Sequence, residues 1–184
     1  MLHYILVFLV YGVFIALLHI HKHGRDDTNS ADLSKVILIA IIIILMLTVL
    51  YEKFLVFVLL HNVHSHTGYI MFSAVGSGLY MILFFIGLIV IANLMGRNTP
   101  DKWTIMFFII SLIANIFLVT KATGIYYEEM VKNFGDRIFD DFYKSLSTTN
   151  RTDTANALLN LKWMVMAVPA GFYLYQLLTT DDYS

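Results

Sequence analysis

The sequence predicts an all-α fold, a polytopic transmembrane helical bundle with about five spanning helices and one extramembrane amphipathic helix before the last span. Three observations support this. Of the 184 residues, 59% are hydrophobic and 14% are charged, whereas a soluble domain has about 45–50% apolar and about 25% charged residues. The apolar residues form runs close to or above the roughly 20 residues that cross a bilayer as a helix. After the fourth run, apolar residues recur at three- and four-residue steps.

We treat residues 1–184 as one membrane domain and place its spans at about 2–20, 36–60, 69–94, 103–121 and 161–178. The first run lacks the basic start and the small-residue cleavage site of a signal peptide, so we interpret it as a retained span. The second run is interrupted at Glu52 and Lys53. Because residues 54–60 would extend only about 10 Å as a helix, the run is expected to form one tilted or protruding helix. In the fifth span, Pro169 predicts a kink.

The third span begins with small residues at four-residue spacing: Ser73 with Ser77, and Ala74 with Gly78. Membrane helices use this spacing to bring their backbones close together, since lipid supplies no hydrophobic force between helices. We therefore predict a helix-packing face at these four positions, either within one chain or between subunits.

Among the polar residues within the predicted spans, Glu52, Asn93, Ser111 and Asn115 are the candidates for a functional or helix-joining role. A charge inside a membrane is a hypothesis for a proton relay or an ion site. Glu52, however, adjoins Lys53 close to an interface, where its carboxylate can reach the headgroups. Residues such as Asn115 more often bond to another helix than line a pore, so we expect its helix face to contact a neighbouring helix.

Residues 125–160 are predicted to be an extramembrane helical excursion. Its apolar face contains the expected partner-binding residues Tyr127, Val131, Phe134, Ile138 and Phe142. A helix lying on a membrane surface is usually rich in lysine and arginine, whereas this one is net acidic. The composition therefore favours contact with protein.

Seven histidines are present, and imidazole is the commonest metal ligand. His3, His61, His64 and His66 are expected on one side of the membrane and are weak candidates for a surface metal site. The alternative, which we prefer, is that they are histidines at headgroup depth. Haem needs axial ligands on facing helices, and no histidine lies in the middle of a span, so we expect no cofactor.

The chain has no cysteine, which excludes disulfides, thiolate metal sites and cysteine nucleophiles. It contains no phosphate-binding loop, nucleophile elbow or zinc-protease motif, and we expect it not to be an enzyme. Its net charge of −1 gives no basic field for nucleic acid.

The leading hypothesis is therefore a non-catalytic integral membrane subunit that oligomerises and serves as scaffold, sensor or channel in a larger assembly. The expected partners are the bilayer, further copies or a membrane complex, and a soluble protein, as in bacterial phage defence or secretion. Three alternatives remain. One is a small ion channel or transporter using Glu52 and Asn115. The others are a haem- or metal-binding electron-transfer subunit and an accessory subunit of a respiratory-type complex.

The distribution of basic residues predicts an orientation. With the N-terminus outside, the short inner loops contain Lys22, Arg25, Lys35, Arg97 and Lys102, and the outer turn at residues 61–68 contains no lysine or arginine. We accordingly expect the N-terminus outside and the C-terminus inside, in a bacterial inner membrane. The basic residues of the net acidic excursion weaken this asymmetry.

Overall fold

A computed structural model describes residues 2–23, 30–49, 65–97, 99–135 and 153–179. Over these ranges the chain forms five helices and no strands. They are α1 (Leu2–His23), α2 (Ser30–Val49), α3 (His66–Leu94), α4 (Lys102–Phe134) and α5 (Asp153–Thr179). The predicted all-helical class is confirmed for the described part of the chain.

Three segments are long and apolar enough to cross a membrane: His66–Leu94, Lys102–Glu129 and Asp153–Thr179. The apolar parts of the first two helices, Val7–His21 and Leu33–Leu47, are shorter. The prediction of a membrane protein is thus confirmed at the level of three candidate spans.

Two helices extend beyond the boundaries expected from hydropathy. The fourth continues past residue 121 through Gly124 to Phe134. It ends at Gly135, which has a φ of 58°, a backbone conformation that glycine adopts at helix ends at little cost. The fifth begins at Asp153 rather than at residue 161 and continues through Pro169. The described parts of the predicted excursion therefore belong to α4 and α5, and residues 136–152 lie outside the described residues.

The turn between α3 and α4 is closed by local hydrogen bonds. After α3, the N–H of Gly96 donates to Asn93 O and that of Arg97 to Ala92 O, both at 2.9 Å. This is a Schellman motif, and it requires the positive φ of 72° that glycine adopts at little cost. Asp101 then caps the start of α4, since its carboxylate accepts the N–H of Thr104 at 2.8 Å.

Helices α3, α4 and α5 pack as two consecutive antiparallel pairs. Between α4 and α5, Phe107 stacks on Phe172 with ring centroids 3.8 Å apart, and Tyr126 near the other end of α4 clusters with Ala155. Between α3 and α4, Phe85 stacks on Phe108 at 4.5 Å. His66 lies against Tyr127 at 4.2 Å. In both pairs the start of one helix meets the end of the next.

Helices α1 and α2 join this unit through aromatic and close backbone contacts. The Tyr11 ring packs edge-on against Phe84 at 5.2 Å, and its hydroxyl donates to the Phe84 main-chain oxygen at 3.1 Å. Phe14 contacts Tyr173 of α5 at 5.9 Å. Gly87 allows the closest approach, since a Cβ there would meet the Tyr11 hydroxyl and would lie 2.8 Å from Cγ2 of Ile43 on α2.

All five helices also expose large apolar side chains. Examples, one from each helix in order, are Ile5, Leu38, Met71, Ile113 and Met164. Such a surface is unfavourable in water over this extent, but it is the expected outer surface of a bundle surrounded by lipid.

Candidate functional site

The most buried polar contact described between two helices joins Asn115 of α4 to Ser77 of α3. Asn115 is 0% exposed and Ser77 is 2% exposed. The Asn115 amide donates to the main-chain oxygen and the hydroxyl oxygen of Ser77, at 3.3 and 3.1 Å, and the Ser77 hydroxyl lies 3.3 Å from Asn115 Oδ1. The two side chains thus satisfy each other where no water is available.

The small residues of α3 pack around this contact. A Cβ at Gly78 would lie 3.6 Å from Ile116 and 3.8 Å from Leu112, which is ordinary van der Waals distance. Ala74 is buried, Ser73 is half-buried, and Ser111 is buried one turn before Asn115. Two of the four predicted packing positions, Ser77 and Gly78, therefore lie against α4 of the same chain.

Lys162 is an ionisable residue buried inside the bundle, at 1% exposure. It lies nine residues after the start of α5, which places it about 13 Å along the helix. Its ammonium nitrogen is 4.7 Å from the centroid of the Trp163 ring, close enough for a cation–π interaction. Trp163 in turn packs edge-on against Tyr80 of α3 at 5.5 Å. Hydropathy alone placed this part of α5 at the membrane rim.

Gln176, near the end of α5, fixes the start of α4. Its side-chain oxygen accepts the N–H of Asp101 at 2.9 Å and the hydroxyl of Thr104 at 3.0 Å. Its amide donates to the main-chain oxygen of Thr99 at 3.2 Å. One side chain thus bonds to the helix cap and the preceding turn, a role that sequence reasoning did not identify.

The other predicted intramembrane polar residues are Asn93 and Glu52. Asn93 is exposed at the end of α3, and Glu52 lies outside the described residues. Of the expected partner-binding residues, Tyr127 is half-buried against His66, and Val131 is exposed. Phe134 ends α4, whereas Ile138 and Phe142 lie outside the described residues.

The weak metal candidates are only partly described. His66 is exposed at the start of α3 and His3 lies in the first turn of α1, whereas His61 and His64 are outside the described residues. Within the described part of the chain, no three side chains of the metal-binding types come together.

Two signals in the sequence could have revealed that α5 begins early and that Lys162 lies inside the bundle. Asp153 suits a first helical turn because the helix dipole favours an acid there. The stretch that follows, residues 155–161, contains good helix formers. An earlier start for α5 moves Lys162 from the rim into the bundle. No comparable signal marks Gln176, because its partners depend on the packing of α5 against the turn at residues 99–104.

Comparison with protein families, with curated proteins and with solved structures finds no match for this chain.

Proposed function

We propose that the chain is a non-catalytic, multi-pass membrane subunit that provides a helical scaffold within a larger assembly. The observation that carries the proposal is the mutual hydrogen bonding of Asn115 and Ser77. These polar groups hold two helices together in a packed, aromatic-rich interior, which suits a rigid scaffold better than a water-filled path.

In this proposal α1 and α2 also lie in the bilayer, giving five spans with the N-terminus outside and the C-terminus inside a bacterial inner membrane. The proposed partner surface is the amphipathic segment of residues 125–160, which contacts further copies or a soluble protein. Because Ser77 and Gly78 of α3 already lie against α4, we place oligomer contacts elsewhere. The exposed side chain of Val131 supports contacts at the end of α4.

The mass of the detergent-solubilised assembly tests this proposal. We expect a mass above that of one 21.1 kDa chain, as a closed oligomer or with a second protein of fixed stoichiometry. Replacing Val131 by Asp should release the partner, whereas the same change at Ile113, which is exposed in the middle of α4, should impair insertion instead. A monodisperse single chain in several mild detergents and in lipid nanodiscs would refute the scaffold proposal.

A second candidate, a small channel or transporter, is favoured by Lys162 alone, because an ionisable residue inside a membrane bundle is by default a functional hypothesis. Under this candidate, Lys162→Met abolishes ion flux into vesicles while the protein still folds, since methionine keeps an unbranched apolar chain. Lys121→Met is the matched control, because Lys121 is exposed on α4 with its ammonium nitrogen 5.9 Å from the Phe117 ring. The absence of flux through the parent protein would eliminate the candidate.

A further inference from the structure

A groove runs between α1 and α2 on the outer side of the bundle. Its volume is about 370 Å³, and it is lined from Phe8 to His19 on α1 and from Leu33 to Ile44 on α2. The lining is apolar apart from His19 at one end and the Tyr11 hydroxyl. That hydroxyl is bonded to the Phe84 main-chain oxygen, so Tyr11 contributes an apolar ring to the groove.

The groove owes its depth to small residues. Gly12, Ala16 and Ala40 line it, and a Cβ added at Gly12 would meet no atom within 4 Å. The space beside Gly12 is therefore not filled by any described side chain. In a bilayer such a space must be occupied by lipid or by protein, because a void forfeits the dispersion contacts of the side chains that line it.

The length and the cross-section of the groove indicate which kind of molecule can occupy it. Phe8 and His19 are eleven residues apart, as are Leu33 and Ile44, which is about 16 Å along a helix. One leaflet contributes about half of the roughly 30 Å hydrocarbon thickness, so the length matches a single leaflet. The volume divided by this length gives a cross-section of about 23 Å². An area of this size accommodates one hydrocarbon chain, whereas a helix with a diameter of about 10–12 Å including side chains has a cross-section of roughly 80–110 Å².

We propose that the groove between α1 and α2 binds one acyl chain of a membrane phospholipid. The headgroup lies at the His19 end of the groove, close to the end of α1 and the beginning of α2. The imidazole of His19 is the polar group beside it. This inference rests on the proposed placement of α1 and α2 in the bilayer.

Photolabelling with a lipid tests the site in the full chain. The protein is reconstituted in phosphatidylcholine vesicles containing a trace of phosphatidylcholine with a diazirine in the middle of one acyl chain. Mass spectrometry then maps the adducts after illumination. We expect adducts to concentrate on the groove residues of α1 and α2 relative to open lipid-facing positions such as Ile113, which is exposed on α4.

Filling the groove should remove this preference. Gly12→Leu is expected to lower groove labelling about threefold, since one packing contact between apolar groups in lipid contributes only modestly. Gly171→Leu is the matched control, because Gly171 is also an exposed helical glycine with open space at its Cβ but lies on α5. Ala16→Leu serves as a second filling variant should Gly12→Leu fail to fold.

Three results would overturn the inference. Equal labelling of the groove and of Ile113, with no effect of Gly12→Leu, would mean bulk lipid only. Exclusion of the lipid from the groove, together with loss of the oligomer in Gly12→Leu, would assign the groove to a second copy. Labelling of α4 with none on either face of α1 and α2 would place these helices outside the bilayer. The mass of the assembly is measured separately, so failure of the lipid site remains distinguishable from failure of the scaffold.

Discussion

Asn115 brings two hydrogen-bond donors and one acceptor into an interior that consists otherwise mostly of apolar side chains. The sequence was sufficient to predict that its helix face contacts another helix, since an amide in hydrocarbon needs a partner. It was not sufficient to pair Asn115 with Ser77 rather than with Ser73 one turn earlier, because that choice depends on the register of α3 against α4. The register is fixed by contacts far along the chain, such as those of His66 with Tyr127 and Phe85 with Phe108.

A double-mutant cycle measures the energy of this contact. Ser77→Ala leaves Asn115 Oδ1 without its donor, and Asn115→Leu removes the amide. We expect each change to lower the free energy of unfolding by about 1–2 kcal/mol. Together they should cost less than their sum by about 0.5–1.5 kcal/mol, because the double variant leaves no unsatisfied amide. Unfolding in mixed detergent and dodecyl sulfate micelles gives these values.

Thr179→Val is the control for the cycle. The Thr179 hydroxyl bonds to the main-chain oxygen of Tyr175 within its own helix, at 2.9 Å, so its effect should add to that of Asn115→Leu. Strict additivity of Ser77→Ala and Asn115→Leu would show that the two side chains do not interact in the membrane-embedded protein.

Lys162 shows how one misplaced helix boundary changes the interpretation of a residue. Hydropathy begins the fifth span at about residue 161, since the preceding residues include polar side chains, and this puts Lys162 and Trp163 at the rim. The observed start at Asp153 adds about 12 Å of helix before that point. The same lysine is then a buried cation over an indole ring. The reason is physical: hydropathy averages over a window, whereas a helix begins where capping and propensity allow.

At the scale of elements, the all-helical class was predictable and the helix lengths were not. Long apolar runs determine that helices form, because the backbone must bond within itself in lipid. Helix ends depend on local features: the Schellman turn at Gly96 and the glycine at residue 135. The tie between Gln176 and the start of α4 depends on tertiary packing, and no periodicity in the sequence reports it.

The approach of α1 and α2 to α3 is limited at Gly87, and a methyl group there should separate the helices. Gly87→Ala places a Cβ against the Tyr11 hydroxyl and 2.8 Å from Ile43 Cγ2. Tyr11 cannot move easily because it is buried and bonded to Phe84. We expect a loss of about 1–3 kcal/mol from overpacking, larger than the roughly 1 kcal/mol that alanine gains over glycine in a helix.

Two comparisons make the Gly87 prediction specific. Tyr11→Phe removes the hydroxyl that a Cβ at residue 87 would meet. The double variant Gly87→Ala with Tyr11→Phe should therefore be more stable than Gly87→Ala alone. The midpoint of thermal unfolding in detergent measures this difference. Gly78→Ala should be neutral or stabilising, because its Cβ would meet Ile116 at 3.6 Å. Equal destabilisation at both glycines would contradict the observed difference in helix spacing.

At the scale of the whole molecule, the described helices differ in how they are held together. Helices α3, α4 and α5 are joined by polar contacts at two levels, Asn115 with Ser77 and Gln176 with Asp101, and by stacked aromatic rings. Helices α1 and α2 contribute apolar side chains to the core, and the Tyr11 hydroxyl donates a hydrogen bond to the Phe84 main-chain oxygen of α3. Since apolar side chains gain little from each other in lipid, this pair should be the part of the bundle that lipid composition affects most.

The two tryptophans, the only ones in the chain, report separately on the outside and the inside of the bundle. Trp103 is 56% exposed in the first turn of α4, whereas Trp163 is 9% exposed.

Quenching of fluorescence in vesicles of brominated lipid tests this difference. The variant Trp163→Phe leaves only Trp103, whose fluorescence should be quenched strongly. Bromines near the headgroups should quench it most, because tryptophan anchors helices at that depth. Trp103→Phe leaves only Trp163, which Tyr80 and Lys162 cover. It should be quenched weakly at every bromine depth. If Trp163 were quenched as strongly as Trp103, its face of α5 would be turned toward lipid, and the packing of Trp163 on Tyr80 of α3 would be wrong.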